Sequence, residues 1–103
     1  MIQITVIKLN KKIQSISVKG HSNSAPKGED LICAGVSSIV VGGANAIAQP
    51  ECYTFKQDDG LFEINEVKKA SDHDYDVLDT MLIQLKTIEE TYPKFISIVE
   101  KGN

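Results

Sequence analysis

The sequence has few cysteines, no tryptophan and little excess of either charge. Two cysteines, without an apolar N-terminal segment of the secretory type, predict free thiols in a reducing compartment, and therefore in the cytoplasm. Eleven basic residues against fourteen acidic ones leave a net charge of -3, which argues against a surface that binds a nucleic-acid backbone. The composition thus disfavours a secreted protein and a direct reader of nucleic acid.

The longest uncharged stretch, residues 31–50, does not predict a membrane span. It is long enough to cross a bilayer, but it contains Gly35, Gly42, Gly43 and several polar residues, and it has neither tryptophan nor a basic flank. A helix buried on nearly all faces is the better interpretation. Because Gly42 and Gly43 lower helix stability, we expect another backbone to approach them closely, and a dimer partner could supply it.

The chain of 103 residues has room for one domain, residues 1–103, with one hydrophobic core. Apolar periodicity and turn signals predict strands at 1–9 and 13–18, a helix at 31–49, strands at 52–56 and 61–65, a helix at 71–92 and a strand at 95–99. The order β-β-α-β-β-α-β predicts a two-layer α+β fold, with two helices packed on a mostly antiparallel sheet. Since so small a chain gains from further burial and its sheet has free edges, we also predict a homodimer.

One short region carries residues suited to nucleophilic chemistry. Gly20 and His21 close the first hairpin, and Asp30 precedes Cys33 at the start of the first helix. Asp30 can cap this helix, whose positive end, like a nearby imidazolium, favours a thiolate over a thiol. His21 could take the thiol proton and return it to a leaving amine, and amides of the first turn could bind an oxyanion.

The polar loop at residues 22–29 separates His21 from this helix. Its eight residues exceed the usual connection of about four to six, and long loops of this kind are often binding lids. The Ser, Asn and Gly content suits movement, so we predict a mobile active-site loop. A histidine and a cysteine twelve residues apart carry little weight alone, because a loop histidine and a buried cysteine are the more common case.

A larger set of residues around this pair forms a signature. It consists of Gly20-His21, Gly28, Asp30 and the run Ile32-Cys33-Ala34-Gly35-Val36-Ser37. This signature is similar to that of the bacterial ribosomal-processing cysteine protease family, Prp, and the length and element order extend the resemblance over nearly the whole chain. The resemblance implies that Cys33 is the nucleophile and His21 the general base. It implies a substrate that is the N-terminal extension of a large-subunit ribosomal protein of the L-twenty-seven type, with apolar and aromatic residues before the cut.

Three further residues fall on the family pattern, and each has a structural alternative. Gly20 is one of them. Asp30 either only caps the helix or also orients His21 and shapes the cleft. Ser37 lies one turn after Cys33, where it either bonds a backbone carbonyl or lines the site. Ser22 departs from the pattern, which commonly has a small apolar residue after the histidine, so contacts of the loop with substrate are not implied.

The remaining cysteine and histidine are interpreted as structural. Cys52 is predicted to pack within a strand, and His73 to lie in an exposed helix cap. A zinc site built from them with His21 and Cys33 lacks paired-ligand spacing, so we predict no metal and no cofactor. Two alternatives to a protease stay open: a non-catalytic ribosome-assembly or peptide-binding factor that uses the same groove, and a redox sensor in which Cys33 and Cys52 form a disulfide.

Overall fold

Five strands and two helices follow one another in the predicted order. The computed structural model describes residues 1–26 and 29–103. The elements are β1 (Ile2–Leu9), β2 (Lys12–Lys19), α1 (Leu31–Ala46), β3 (Tyr53–Asp58), β4 (Leu61–Glu66), α2 (Asp72–Thr91) and β5 (Ile96–Gly102), with a 3-10 turn at Pro50–Cys52. The α+β prediction and its element order are confirmed.

The strands form a single mixed sheet in the order β3-β4-β2-β1-β5. Three of its pairings are antiparallel, and β1 pairs with β5 in parallel. Alternation places Ile2, Ile4 and Val6 of β1 in the core while Gln3 and Ile7 are exposed. Because the helices pack on each other and on this apolar face, the sheet and the helices share one core.

Helix α2 has the predicted amphipathic pattern. The hydroxyl of Ser71 caps it by accepting a hydrogen bond from the amide of Asp74. Its buried residues recur at three- and four-residue spacing and include Leu78, Met81 and Leu85. Asp72 and Asp74 lie in the first turn, where the helix dipole favours acidic side chains.

Helix α1 ends at Ala46, and not at Gln49 as predicted. The amides of Ala48 and Gln49 donate to the two carboxylate oxygens of Asp74, at 2.7 and 2.9 Å. The Asp74 side chain is fully buried, and these two hydrogen bonds draw the chain out of the helix before Pro50. The partner is 25 residues or more away in sequence, and so no local pattern could have indicated this end.

The prediction that α1 is buried on nearly all faces was wrong. Only Ile32, Val36 and Val40 are buried, and Leu31 is 84% exposed. The outward face carries small residues such as Ser38, and these cost little when they are exposed. An uncharged helix is therefore not necessarily an enclosed one.

Within the described residues, the atoms nearest to a Cβ at the glycine pair belong to a side chain, while a dimer partner at this pair stays a prediction. A Cβ added at Gly43 would collide with the thioether of Met81 on α2, so a side chain requires the small residue there. At Gly42, apart from its two chain neighbours and the adjacent backbone of α1 itself, no atom of the described residues lies within 4 Å of such a Cβ. The two neighbouring glycines thus have different surroundings.

Alanine at these two positions should have opposite effects. Gly42→Ala should raise the free energy of unfolding by about 0.5–1 kcal/mol, because alanine is the better helix former. Gly43→Ala should lower it by about 1–2 kcal/mol, because the added methyl overlaps the buried Met81 side chain. Urea unfolding followed by far-UV circular dichroism measures both. A loss of stability at Gly42 would contradict an open surface there and favour a dimer contact.

Three expectations stay predictions. They are the single domain over residues 1–103, the homodimer and the mobility of the 22–29 loop, of which Lys27 and Gly28 lie outside the described residues. Within the described ranges, no helix combines the length and the apolar character that crossing a bilayer requires.

Candidate active site

The candidate site lies where β2 ends and α1 begins. Gly20 has a φ of +94°, and its amide donates to the carbonyl of Gly60 in the turn between β3 and β4, at 2.9 Å. A Cβ at Gly20 would lie 2.5 Å from the carbonyl oxygen of Met1. Gly20 is therefore required by a left-handed turn and a close backbone approach. This turn directs the next residue, His21, towards the β3–β4 turn.

The His21 ring lies against that turn and is half exposed. Its Nε2 is 3.7 Å from Oδ1 of Asp59, and the His21 side chain is 53% exposed. A Cβ at Gly60 would approach Nε2 to 2.8 Å, so the glycine leaves room for the ring. Asp59 was not predicted as a site residue, because the Asp-Gly pair was interpreted only as a hairpin signal. The exposed pair is weak, and Asp59 can at most bias the orientation of the ring.

Asp30 caps α1, as predicted, and also holds the preceding loop. One carboxylate oxygen accepts from the amide of Cys33 at 3.0 Å and from the hydroxyl of Ser24 at 2.8 Å. The other accepts from the hydroxyl of Ser22 and from the amide of Ser24, the latter at 3.2 Å. These bonds, first the one from Ser22 and then the one from Cys33, hold the pKa of the Asp30 carboxyl well below its usual range.

The same cap restricts which amides could bind an oxyanion. The amide of Cys33 donates to the Asp30 side chain, and the amide of Ala34 donates to the Asp30 carbonyl, each at 3.0 Å. Both are therefore engaged already. The expectation that the first turn supplies the oxyanion donors does not hold for these two amides.

Cys33 lies in the first turn of α1 with a half-buried side chain. Its sulfur is 3.4 Å from the amide nitrogen of Ser22 and 3.4 Å from the Ser22 hydroxyl oxygen. Ser22 itself is buried, with 3% of its surface exposed. Ser22 was not predicted as a site residue, because its contacts are made across the loop and the sequence shows it only as a departure from the family pattern.

Two adjoining cavities, with volumes of about 220 and 500 Å³, open beside the Cys33 thiol. Both are lined by His21, Cys33, Ser37 and Asp59. Part of the wall of the smaller cavity is apolar and consists of Val18, Val36, Val40, Val41 and Phe62. The fold thus brings the five predicted site residues to this concave surface: His21, Cys33 and Ser37 line both cavities, Gly20 lines the smaller one and Asp30 the larger one.

Cys52 and His73 lie away from this surface. The Cys52 thiol is buried, and its sulfur lies 3.8 Å from the Gln49 side-chain oxygen and 3.6 Å from the Lys69 carbonyl oxygen, either of which can accept its proton. His73 Nε2 is 3.2 Å from the carbonyl of Ala46 at the other end of α1. Because the helix from Cys33 to Ala46 spans roughly 20 Å, a disulfide between Cys33 and Cys52 would require a large rearrangement. In residues 1–26 and 29–103, no group of three His, Cys, Asp or Glu side chains is arranged to hold a metal ion.

Comparison with known proteins assigns the chain to a family. The model of the family described as "Cysteine protease Prp" matches residues 1–97. The ribosomal processing cysteine protease Prp of Staphylococcus aureus (strain Mu50) is 32% identical over 91 residues, which cover 84% of this chain and 86% of that protein. The protein of the same name from Bacillus subtilis (strain 168) is 34% identical over 101 residues, which cover 89% and 90%.

Solved structures agree with this assignment. The crystal structure of the essential ribosomal processing protease Prp from S. aureus with a covalently linked product peptide has a TM-score of 0.89 at 30% identity, covering 98% of this chain and 100% of that chain. The same S. aureus protease with a substrate peptide has a TM-score of 0.82 at 30% identity and the same coverage. Fold and sequence together define a protein of the cysteine protease class. Within that class, the chain belongs to the Prp family.

The stabilising effect of the ionised Asp30 side chain should decrease in acid. Its folded-state pKa is lowered, so its contribution is complete above the ordinary aspartate pKa of about 3.9 and is lost as the pH falls towards the lower folded-state value. Asp30→Asn keeps one cap acceptor but no charge. We expect the variant to be less stable than wild type at neutral pH, and the difference to shrink in acid.

Urea unfolding at neutral pH and at about pH 3 measures this difference. At about pH 3, an aspartate with its ordinary pKa, as in the unfolded chain, is largely protonated. Asp79→Asn, at an exposed position of α2, is the matched control and should differ little from wild type at either pH. A deficit of Asp30→Asn that is the same at both pH values would contradict the ionised cap.

Proposed function

We propose that this protein is a cysteine endopeptidase in which Cys33 is the nucleophile and His21 the general base and acid. The observation that best supports the proposal is the position of both side chains on the walls of the same two cavities, at the positive end of α1. Membership of a cysteine protease family supports the same reaction class.

His21 takes up and returns a proton twice in this reaction, once as the thioester forms and once as it is hydrolysed. The imidazole removes the Cys33 proton, and the thiolate attacks the carbonyl carbon of the scissile peptide bond. His21 then protonates the departing amine, which leaves an acyl thioester on Cys33. Water, deprotonated by His21, hydrolyses the thioester and regenerates the thiol. The half-exposed ring of His21 can reach solvent water for this last step.

The supporting residues have separate roles in this proposal. Asp30 fixes the start of α1 and thereby the position of Cys33. Gly20 permits the turn that presents His21, and Ser37 forms part of the wall that a substrate would contact. None of these three donates or accepts the proton that moves in the reaction.

We propose that the substrate is the N-terminal extension of a large-subunit ribosomal protein of the L-twenty-seven type, cleaved in the cytoplasm. The relatives from S. aureus and B. subtilis are named ribosomal processing cysteine proteases, and the S. aureus enzyme binds a substrate peptide. The apolar wall of the smaller cavity suits apolar or aromatic residues before the cut. The 22–29 loop borders the larger cavity at Asn23 and Ala25, where it could close over a bound tail.

The chain contains a matched control for each proposed catalytic residue. Cys33→Ala should abolish cleavage, and His21→Ala should lower kcat by about 10²–10⁴-fold, the usual contribution of general acid–base catalysis. Cys52→Ala and His73→Ala remove the other cysteine and histidine, which lie away from the cavities, and should cleave at nearly the wild-type rate. Rates from a quenched peptide substrate, with circular dichroism as a check of folding, measure all four. Full turnover by Cys33→Ala would refute the proposed nucleophile.

Intact-mass spectrometry distinguishes the protease from a binding factor. Wild-type and Cys33→Ala protein are incubated with ribosomal proteins that carry their native N-termini. We expect one defined N-terminal loss, from the L-twenty-seven-type protein and with wild type only. An uncleaved substrate that co-purifies with both forms would instead favour the non-catalytic assembly or peptide-binding factor.

A further inference from the structure

Ser22 is a buried polar residue that contacts the sulfur of Cys33, the proposed nucleophile. Only 3% of its surface is exposed, so it is not accessible to a substrate in the cavities. Its amide nitrogen and its hydroxyl oxygen each lie 3.4 Å from the Cys33 sulfur. One residue therefore makes two polar contacts to the reactive atom.

The partners of the Ser22 hydroxyl determine the direction of these contacts. A hydroxyl has one proton to donate, and Ser22 donates it to the carboxylate of Asp30. Asp30 also accepts the amides of Cys33 and Ser24, so it acts as an ionised acceptor and has no proton to return. The Ser22 oxygen can therefore meet the Cys33 sulfur only as an acceptor of the S–H proton. The Ser22 amide, in contrast, can only donate to the sulfur.

We propose that Ser22 is a positioning residue that fixes the direction of the Cys33 sulfur and holds the thiol proton in the resting protein. The closed ring of contacts runs from the Cys33 amide to Asp30, to the Ser22 hydroxyl and back to the Cys33 sulfur. When His21 takes the proton, the S–H bond breaks and an N–H bond forms on the imidazole. The contact to the Ser22 oxygen is then lost, while the Ser22 amide stays with the thiolate.

This inference rests on Cys33 as the proposed nucleophile, but its test needs no substrate. Thiolate reacts with iodoacetamide and thiol does not, so the alkylation rate reports how readily Cys33 releases its proton. The titratable side chains that line the cavities beside Cys33 are His21, Asp30, Asp58 and Asp59, and all four are kept in the principal variants. A Cys52→Ala background leaves Cys33 as the one thiol of the chain.

The experiment compares Ser22→Ala with Ser24→Ala at two pH values. Ser24 donates to the same Asp30 carboxylate, so its loss loosens the loop while the Ser22 contacts to the thiol are kept. Rates are measured at about pH 6, where only a small fraction of an ordinary thiol is ionised, and at about pH 10, where an ordinary thiol is almost fully ionised. A change in access alters both rates equally, whereas loss of a proton acceptor raises only the acidic one. The quantity of interest is therefore the ratio of the acidic to the alkaline rate.

We expect this ratio to rise about fivefold in Ser22→Ala, the effect of losing one hydrogen bond to the thiol, and to stay within about twofold of wild type in Ser24→Ala. An unchanged or lower ratio in Ser22→Ala overturns the proposal, and so does an equal rise in both variants. If Ser22→Ala does not fold, Ser22→Gly takes its place. It also removes the hydroxyl and keeps the charge of Asp30, so the ratio should rise as well. An absence of cleavage by wild type would reject the protease function without altering this comparison.

Discussion

The candidate site depends on the hydrogen bonds that the Asp30 carboxylate accepts. The carboxylate joins the first turn of α1 to the loop that follows β2, because its two oxygens accept from Cys33 on one side and from Ser22 and Ser24 on the other. Without such a link, Cys33 and His21 would belong to two elements connected only by a long polar loop. Because the Asp30 carboxylate is ionised at neutral pH, its hydrogen bonds are charge-assisted, and they fix the position of Cys33 relative to the loop after β2.

A second aspartate has the corresponding role at the other end of α1. Asp74 accepts the amides of Ala48 and Gln49 and so fixes the exit of the helix against the start of α2. Between these two ends, the buried side chains of α1 are aliphatic and pack against the core in van der Waals contact. The helix can therefore expose an uncharged outer face, since its position is set by its ends and by one inner stripe.

Most of the fold could be predicted because its signals are local. Alternation in β1, the Asp-Gly turn before β4 and the periodicity of α2 each depend on neighbouring residues. The end of α1 and its exposed face could not be predicted in this way, because Asp74 acts from a distance and small residues carry no clear burial signal. The requirement for glycine at residue 43 was likewise set by Met81, a side chain from another helix.

The site was predicted less completely than the fold. The resemblance to the Prp family identified more of its residues than the spacing of His21 and Cys33 did. Cys33, His21 and Ser37 were identified through the family signature, and the structure places them on one concave surface. Ser22 and Asp59 were missed because neither belongs to that signature. Their proximity to Cys33 and His21 arises only when the loop, the helix and the β3–β4 turn come together.

The parallel pairing of β1 with β5 has a consequence for folding. Ile2 pairs with Ile96, so the sheet joins segments that lie near opposite ends of this sequence. During synthesis the hairpin of β1 and β2 can form early, but β1 has no partner on its other side until β5 has left the ribosome. Contacts of such high sequence separation slow folding, because the chain entropy lost in closing the loop precedes the gain from pairing. The edge of β1 therefore stays open to pairing with another chain until β5 is made.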